Sequence, residues 1–238
     1  MNSTVLSITN QGLALAFIPT FIAIGIMYRW RASANSALYG TFRMLIQLLL
    51  VGYVLIYIFE TDNYLVILAV LLLMLLVASW IAIRPLSTRN FTAYRHSLLA
   101  LSISGISTLG LVTQFVIDVD PWFSPRYVVP LAGMIFAAAM NAVSLAAERF
   151  QTEISRGTDI QEARQSALET SLIPIVNGLL AVGLVTLPGM MTGQVLSGVS
   201  PFVAAKYQIV VMAMWFGAAG MASAIYLTMT SLGSDHNN

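Results

Sequence analysis

The sequence contains no cysteine and very little charge, and both absences restrict what the protein can be. Without cysteine, the chain has no disulfides, no thiolate metal ligands and no cysteine nucleophile. Charged residues make up 9% of the 238 residues and hydrophobic residues 58%, whereas a soluble domain carries roughly 25% charge. Several apolar runs approach or exceed the roughly 20 residues that a helix needs to cross a bilayer. The sequence therefore predicts an all-α, polytopic integral membrane protein with a single transmembrane domain, residues 1–238.

Apolar runs and helix-start signals predict about seven transmembrane helices. Ser124-Pro125 and Ser200-Pro201 are typical helix starts, in which a capping residue precedes a proline in the first turn. Pro19 interrupts the first span, and Pro188-Gly189 interrupts the sixth, because proline removes a backbone donor from a helix. The predicted spans are Gly12–Tyr28, Leu38–Phe59, Tyr64–Ile83, Ser97–Ile117, Pro125 to Arg156 (with its last turns in water), Pro174–Leu196 and Pro201–Ser231.

The basic residues are distributed unequally between the two sides of this topology. Arg126 and Lys206 fall on one side, and nine arginines fall on the other: Arg29, Arg31, Arg43, Arg84, Arg89, Arg95, Arg149, Arg156 and Arg164. Loops rich in basic residues stay in the cytoplasm. The distribution predicts a multi-pass protein of the inner (plasma) membrane, with its N-terminus outside and its C-terminus in the cytoplasm.

One charged segment, at about residues 149–173, separates two apolar spans on the cytoplasmic side. Gly157 is a typical residue to end the preceding helix, and Thr158 with Gln161 resembles a capping box that starts a new one. Apolar residues then recur at helical spacing, which predicts a short amphipathic helix that ends or bends before Pro174. This helix either rests on the lipid headgroups or docks on a cytoplasmic partner as a coupling helix. The candidate coupling residues are Arg156, Gly157, Thr158, Asp159, Ile160, Glu162, Ala163 and Ala167.

The sequence also lacks an energy source of its own. It has no GxxxxGK[ST] motif, and its only lysine, Lys206, lies on the outer side, so the chain cannot form a phosphate-binding P-loop. The middles of the spans contain no ionisable residue of the kind that proton-coupled carriers use as relays. Both absences favour a non-enzymatic permease that binds no cofactor itself and is driven by a separate ATPase holding ATP and Mg²⁺. A self-sufficient carrier or channel and a membrane scaffold remain alternatives. A net charge of +1 gives no indication of nucleic-acid binding.

Three segments resemble a known family of permeases. They are RMLIQLLLVGYVLIYIF (43–59), VVPLAGMIFAAAMNAV (128–143) and SLIPIVNGLLAVGLVTLPGMMTGQVLSGVSPFVAAKYQIVV (171–211). The chain resembles the FetB (YbbM-type) permeases of bacterial ABC transporters, which are implicated in iron export. It is also similar to the plant aluminium-tolerance half-transporters, which are linked to UDP-glucose movement. The resemblance implies a homodimer in the lipid bilayer with two copies of a cytoplasmic ATPase subunit, and it leaves metal or nucleotide sugar open as the substrate.

A few polar or helix-breaking residues within the spans are candidates for a translocation path. Arg43 and Gln47 lie one turn apart, although Arg43 can also extend to the membrane interface. Asn141 and Asn177 can either join helices or contact the substrate. The Pro188-Gly189 break is either a site feature or a structural kink. The adjacent methionines are soft ligands that suit Cu(I) better than iron, and the sequence leaves any metal site undefined. The complete candidate set is Arg43, Gln47, Asn141, Asn177, Pro188, Gly189, Met190 and Met191.

Overall fold

The computed structural model describes the backbone of residues 8–235 and the side chains through Leu232. Within that range the regular structure is helical, and one isolated bridge joins Val182 to Thr186. The all-α, polytopic membrane fold predicted from the sequence is therefore confirmed. The predicted outer N-terminus and cytoplasmic C-terminus fall outside the described residues. Six segments are helical, long and apolar enough to cross a bilayer: Asn10–Arg29, Ala34–Glu60, Tyr64–Ala82, Phe91–Val116, Pro125–Ser155 and Pro201–Leu232.

The chain divides into two compact units, and the first ends at Thr61. It contains α1 (Asn10–Leu15), α2 (Ile18–Arg29) and α3 (Ala34–Glu60). Two residues separate the end of α1 from the start of α2, and Pro19 lies in the first turn of α2. The predicted interruption of the first span near Pro19 is therefore present. Helix α2 packs against α3, but most side chains of both helices are exposed within this unit. Such an apolar exterior is compatible with surrounding hydrocarbon or with another protein surface.

The second unit begins at Asp62. It contains α4 (Tyr64–Ala82), α5 (Phe91–Leu111, continued by a π-helical turn through Val116), α6 (Pro125–Ser155), α7 (Ile160–Ala181), α8 (Gly189–Leu196) and α9 (Pro201–Asp235). Helices α6 and α9 form its centre, because they pack on each other and both also contact α5 and α7. The predicted helix starts at Tyr64, Pro125 and Pro201 are confirmed. Helix α5 begins at Phe91, earlier than the predicted Ser97, because Asn90 caps it by accepting from the Ala93 amide at 2.7 Å.

Small side chains allow the helices of the second unit to approach closely. Gly105 of α5 faces Phe136 of α6 so closely that a Cβ atom added at Gly105 would lie 2.5 Å from the Phe136 ring. The Ser171 hydroxyl of α7 donates to the Ser223 hydroxyl of α9 at 3.3 Å. Membrane helices pack mainly through such close contacts and interhelical hydrogen bonds. Alanines without exposed surface line the same core: Ala132, Ala139 and Ala146 of α6, and Ala218, Ala219 and Ala222 of α9.

The segment between residues 160 and 196 differs from the sequence-based prediction. The sequence predicts that the amphipathic helix ends or bends before Pro174. In the structure, α7 is one helix from Ile160 to Ala181 with Pro174 inside it. Proline inside a membrane helix is tolerated where neighbouring helices and side chains satisfy the freed backbone groups. The predicted span Pro174–Leu196 is consequently not one helix. It consists of the last turns of α7, a non-helical turn at residues 182–188, and the eight-residue helix α8.

Helix α6 is longer than a membrane crossing requires. Its 31 residues extend about 46 Å, whereas the hydrocarbon core is about 30 Å thick. The extra length agrees with the charged residues of its last turns, from Glu148 to Ser155, because charged side chains favour water over hydrocarbon. The helix therefore carries the turn that joins it to α7 beyond the apolar part of the bundle.

Candidate functional site

A four-residue turn, Arg156–Asp159, joins α6 to α7 and is called here the α6–α7 turn. Arg156 is the C-cap of α6, and Gly157 follows in the left-handed region with φ of +80°. The Gly157 amide donates to the Ile154 carbonyl at 3.0 Å, and the Thr158 amide donates to the Glu153 carbonyl at 3.2 Å. This pair of bonds defines a Schellman motif. The predicted role of Gly157 as the residue that ends α6 is therefore confirmed.

Glu153 is the centre of the polar contacts beneath the α6–α7 turn. Only 8% of this residue is exposed. Its carboxylate accepts from the Thr158 hydroxyl at 2.8 Å and forms ion pairs with Arg149 at 2.8 Å and Arg156 at 3.6 Å. Arg149 also donates from Nε to the Ser166 hydroxyl of α7 at 3.1 Å. A single buried carboxylate therefore links the end of α6, the turn and the beginning of α7.

The start of α7 is capped one residue later than the sequence suggested. Asp159 is the N-cap, and its carboxylate accepts from the Gln161 amide at 2.9 Å. The predicted N-cap, Thr158, uses its hydroxyl to bond Glu153 instead. Glu162, which is exposed in the first turn of α7, complements the positive end of the helix dipole. The prediction of a capped helix in this charged segment is confirmed, with its N-cap shifted from Thr158 to Asp159.

The apolar face of the candidate coupling helix points inward. Ala163 and Ala167 have no exposed surface, because α7 packs against α6 and α9 along this face. These two side chains therefore cannot contact a partner directly, contrary to the expectation that the apolar face is the docking surface. Ile160 is partly buried, and the exposed face of this part of α7 is polar. It consists of Gln161, Glu162, Gln165 and Glu169, with Gln165 donating to Glu169 at 2.9 Å.

A shallow groove borders this polar face. It has a volume of about 370 Å³ and lies between α7 and α9. Arg164 of α7 lines it and donates to the Thr228 hydroxyl of α9 at 3.3 Å. Gln161 and Gln165 form its outer wall on α7, and Leu227 of α9 contributes an apolar surface. The groove begins at Gln161, two residues after the end of the α6–α7 turn.

The break in the predicted sixth span is a closed backbone turn. The Ala181 carbonyl accepts from the amide of Val185 at 2.8 Å, and Gly183, with φ of +83°, donates to the Thr186 carbonyl at 2.9 Å. Such internal bonds satisfy backbone groups that a helix would otherwise pair. Pro188 is the N-cap of α8, and a Cβ atom at Gly189 would have no neighbour within 4 Å. Leu184, Val185 and Leu187 are 70–90% exposed, so the described residues leave these side chains of the turn largely uncovered.

Asn141 of α6 and Asn177 of α7 are exposed on two helices that run back beside each other from the α6–α7 turn. Asn141 lies 14 residues before the end of α6 and Asn177 lies 17 residues after the start of α7. At 1.5 Å per residue, these positions are about 21 and 26 Å from the helix ends. The two amides therefore lie at similar depth. An exposed amide is costly to place in hydrocarbon, which favours a polar environment for this face.

The remaining path candidates lie elsewhere. Arg43 and Gln47 belong to α3 of the first unit. When the Gln47 amide oxygen faces Arg43, it accepts from Nε at 3.1 Å and from a terminal guanidinium nitrogen at 3.3 Å. Met190 lines a cavity with Met134, whereas Met191 is not among the residues of that cavity. Within the described residues, no group of three or more His, Cys, Asp or Glu side chains is placed to hold a metal ion.

Two features of the second unit are absent from the sequence-based candidates. Glu153 is not among the candidate residues, although Arg149 and Arg156 at i−4 and i+3 are the signal that could have identified it. Gln208 of α9 is 4% exposed, and its side-chain oxygen has no hydrogen-bond partner in the described part of the chain. It follows Lys206 and Tyr207 and precedes an apolar run, so no local signal distinguishes it from other polar residues in the spans.

Comparison with known proteins places these features in a family. The family described as "Uncharacterised protein family (UPF0014)" matches residues 10–232. The chain is 34% identical to the "Probable iron export permease protein FetB" of Escherichia coli over 93% of this chain and 91% of that protein. It is 38% identical to "UPF0014 membrane protein slr1647" of Synechocystis over 71% of each.

A plant relative extends the comparison. The chain is 31% identical to "Protein ALUMINUM SENSITIVE 3" of Arabidopsis thaliana over 88% of this chain and 81% of that protein. No solved structure matches. The match to the family covers nearly the whole chain, including both units and the α6–α7 turn. The chain is therefore a multi-pass membrane protein that belongs to the UPF0014 family, together with the FetB permease.

Proposed function

We propose that the chain is the membrane-spanning permease subunit of an ABC transporter. Two copies form a homodimer, and each contacts a cytoplasmic ATPase subunit that binds ATP and Mg²⁺. Binding and hydrolysis of ATP by that partner change the orientation of the helices, so that a substrate site opens alternately to the two sides of the inner membrane. The chain itself has no catalytic residues in this proposal.

The observation that carries the proposal is the ordered surface at the α6–α7 turn. The turn is polar and exposed. The ion pair between Glu153 and Arg149, and the hydrogen bond from Arg149 to Ser166, connect it to both helices. A surface on which a partner acts must be held firmly by the helices that the partner moves, and this surface is held at the ends of α6 and α7. In the proposal, Arg156 to Glu162 and the groove beside Gln165 contact the ATPase. Ala163 and Ala167 position α7 from within.

The proposed path follows the exposed face of α6 and α7. Asn141 and Asn177 lie at similar depth on this face, where facing pure hydrocarbon is unfavourable. A second copy of the chain would enclose this face and provide the polar surroundings that a single copy lacks. The turn at residues 182–188 ends α7 near the same depth, and such breaks often lie beside transporter substrate sites.

Iron is the substrate that the relatives favour, because one of them is named as an iron export permease. We propose export of iron or a related metal as the transport activity. Binding of the ATPase can be measured without transport. The proposed energy source and the proposed substrate are therefore tested by separate experiments.

The test uses exchange of charge at an exposed residue. Glu162→Arg changes the first turn of α7 without altering a buried contact. We expect this substitution to weaken the affinity of the chain for the co-purifying ATPase about tenfold or more. The new arginine would either repel a positive charge of the ATPase or remove a favourable charge pair that Glu162 makes with it. The measurements are affinity of the purified subunits and ATP hydrolysis stimulated by the permease in proteoliposomes.

The matched control is Glu60→Arg, which makes the same exchange at the exposed end of α3, predicted to lie outside the cell. It should bind and stimulate the ATPase like the unmodified chain. If Glu162→Arg also does so, the α6–α7 turn is not the coupling surface. If no ATPase accompanies the chain and transport proceeds without ATP, the chain is a self-sufficient carrier or channel.

A further inference from the structure

A separate cavity opens at the other end of the second unit, remote from the α6–α7 turn. It has a volume of about 580 Å³ and lies among the end of α5, the first turns of α6 and α9, and α8. Its polar lining comprises Arg126 and Tyr127 of α6, Gln194 of α8 and Tyr207 of α9, and the rest of its lining is apolar. The cavity therefore combines one full positive charge with hydroxyl groups and a largely hydrocarbon wall.

The formal charge of the cavity lining is positive. None of the described residues that line it is acidic, and the ion pairs found among the described residues do not include Arg126. The first turns of α6 and α9 reach the cavity at Arg126 and Val203. The N-termini of α6 and α9 add partial positive charge, and the C-terminal ends of the α5 π-turn and α8, which reach the cavity at Ile117 and Gln194, oppose it. The formal charge of the lining is that of Arg126, which favours an anion over a bare cation.

The remaining wall determines what kind of anion fits. Met134, Met190 and Val203 provide an apolar surface beside Arg126. The side-chain oxygen of Gln194 at the cavity has no hydrogen-bond partner within residues 8–235. Because this oxygen accepts hydrogen bonds, it would pair with a hydroxyl group of a ligand and not with its phosphate. A small inorganic anion would leave the apolar wall uncovered, whereas a molecule with an anionic group and an apolar body would contact both surfaces.

We propose that this cavity binds the phosphate group of an anionic amphiphile. The Arg126 guanidinium pairs with the phosphate through charge-assisted hydrogen bonds, and the apolar body lies against Met134, Met190 and Val203. The phosphate can come from an anionic phospholipid of the adjacent leaflet or from a soluble organic phosphate. This inference goes beyond the proposed function, because it requires neither an ATPase nor transport.

The test is calorimetric titration of the purified full-length chain in an uncharged detergent. The probes are dioctanoyl phosphatidylglycerol, which is anionic, and dioctanoyl phosphatidylcholine, which has the same acyl chains but no net charge. We expect saturable binding of phosphatidylglycerol and markedly weaker binding of phosphatidylcholine. Arg126→Gln should weaken phosphatidylglycerol binding about tenfold or more, because a hydrogen bond to a charged group is lost.

Two further variants separate the site from general surface charge. Lys206→Gln removes the neighbouring cation, which lies over the Phe202 ring at 5.5 Å and is not among the cavity residues, and it should bind like the unmodified chain. Val203→Trp fills the cavity and should abolish binding. Competition by phenyl phosphate, a soluble organic phosphate with an apolar body, would assign the site to soluble phosphates, and lack of competition would assign it to lipid. Unchanged phosphatidylglycerol affinity in correctly folded Arg126→Gln and Val203→Trp variants would overturn the proposal.

Discussion

The Thr158 hydroxyl donates to the buried carboxylate of Glu153 at 2.8 Å, between the end of α6 and the beginning of α7. The backbone amide of Thr158 also donates to the Glu153 carbonyl, at 3.2 Å. The same two residues are therefore joined by a side-chain bond and by a backbone bond. Their pairing fixes the direction in which the chain leaves α6 and enters α7.

Replacing Glu153 with alanine should destabilise the second unit by about 1–3 kcal/mol, because Arg149 and Thr158 lose a largely buried partner. The measurement is thermal unfolding of the purified chain in detergent, with the same detergent for every variant. Glu148→Ala is the matched control, because Glu148 is exposed and bonds only Thr152 among the described residues, at 3.1 Å. Equal unfolding temperatures for the two variants would show that the buried carboxylate does not stabilise the turn.

Gly105→Ala should destabilise the contact between α5 and α6 by about 1–3 kcal/mol, the usual range for overpacking. The added methyl group would lie 2.5 Å from the ring of Phe136, which is 4% exposed and has little room to move. Gly110→Ala, in the same helix with no atom within 4 Å, should be neutral or slightly stabilising. Unfolding temperatures of the two variants give the comparison. A second substitution, Phe136→Leu, should recover part of the loss in Gly105→Ala, and failure to do so would place the strain elsewhere.

Topology follows from the unequal distribution of arginines. Reporter fusions after Ser33, Asn90, Gln161 and Asn238 should all report the cytoplasm, and a fusion near Asp120 should report the exterior, because basic loops resist translocation. Paired reporters that are active on opposite sides of the membrane provide the measurement. An exterior signal at Gln161 would exclude the proposed contact between the α6–α7 turn and a cytoplasmic ATPase.

Gly189→Leu tests whether the beginning of α8 contributes to the path. The new side chain would enter open space, so folding and membrane insertion should be retained. If this space is part of the path, export of iron should fall severalfold, measured as cellular iron retained after loading. Gly193→Leu, one turn further along α8 and also without neighbours within 4 Å, is the matched control. Normal export by both variants would show that the break has only a structural role.

The sequence predicts most helices because their signals are local. The proline-containing starts at Pro125 and Pro201, and the glycine that ends α6, each determine the backbone within a few residues. The continuation of α7 through Pro174 was missed because neighbouring helices decide whether a proline is tolerated. The inward direction of Ala163 and Ala167 was missed for a related reason. Helical periodicity identifies an apolar face, but it cannot show whether the same chain or a partner covers that face.

The continuity of α7 has a mechanical consequence. With no non-helical residue between Ile160 and Ala181, a twist or axial push applied by a partner at the first turn is transmitted through 22 residues, about 33 Å. The far end of this rod is attached to the closed turn at residues 182–188. If a partner acts at the first turn of α7, as proposed, a displacement of this helix would therefore reach residues 182–188, the first non-helical backbone after Asp159.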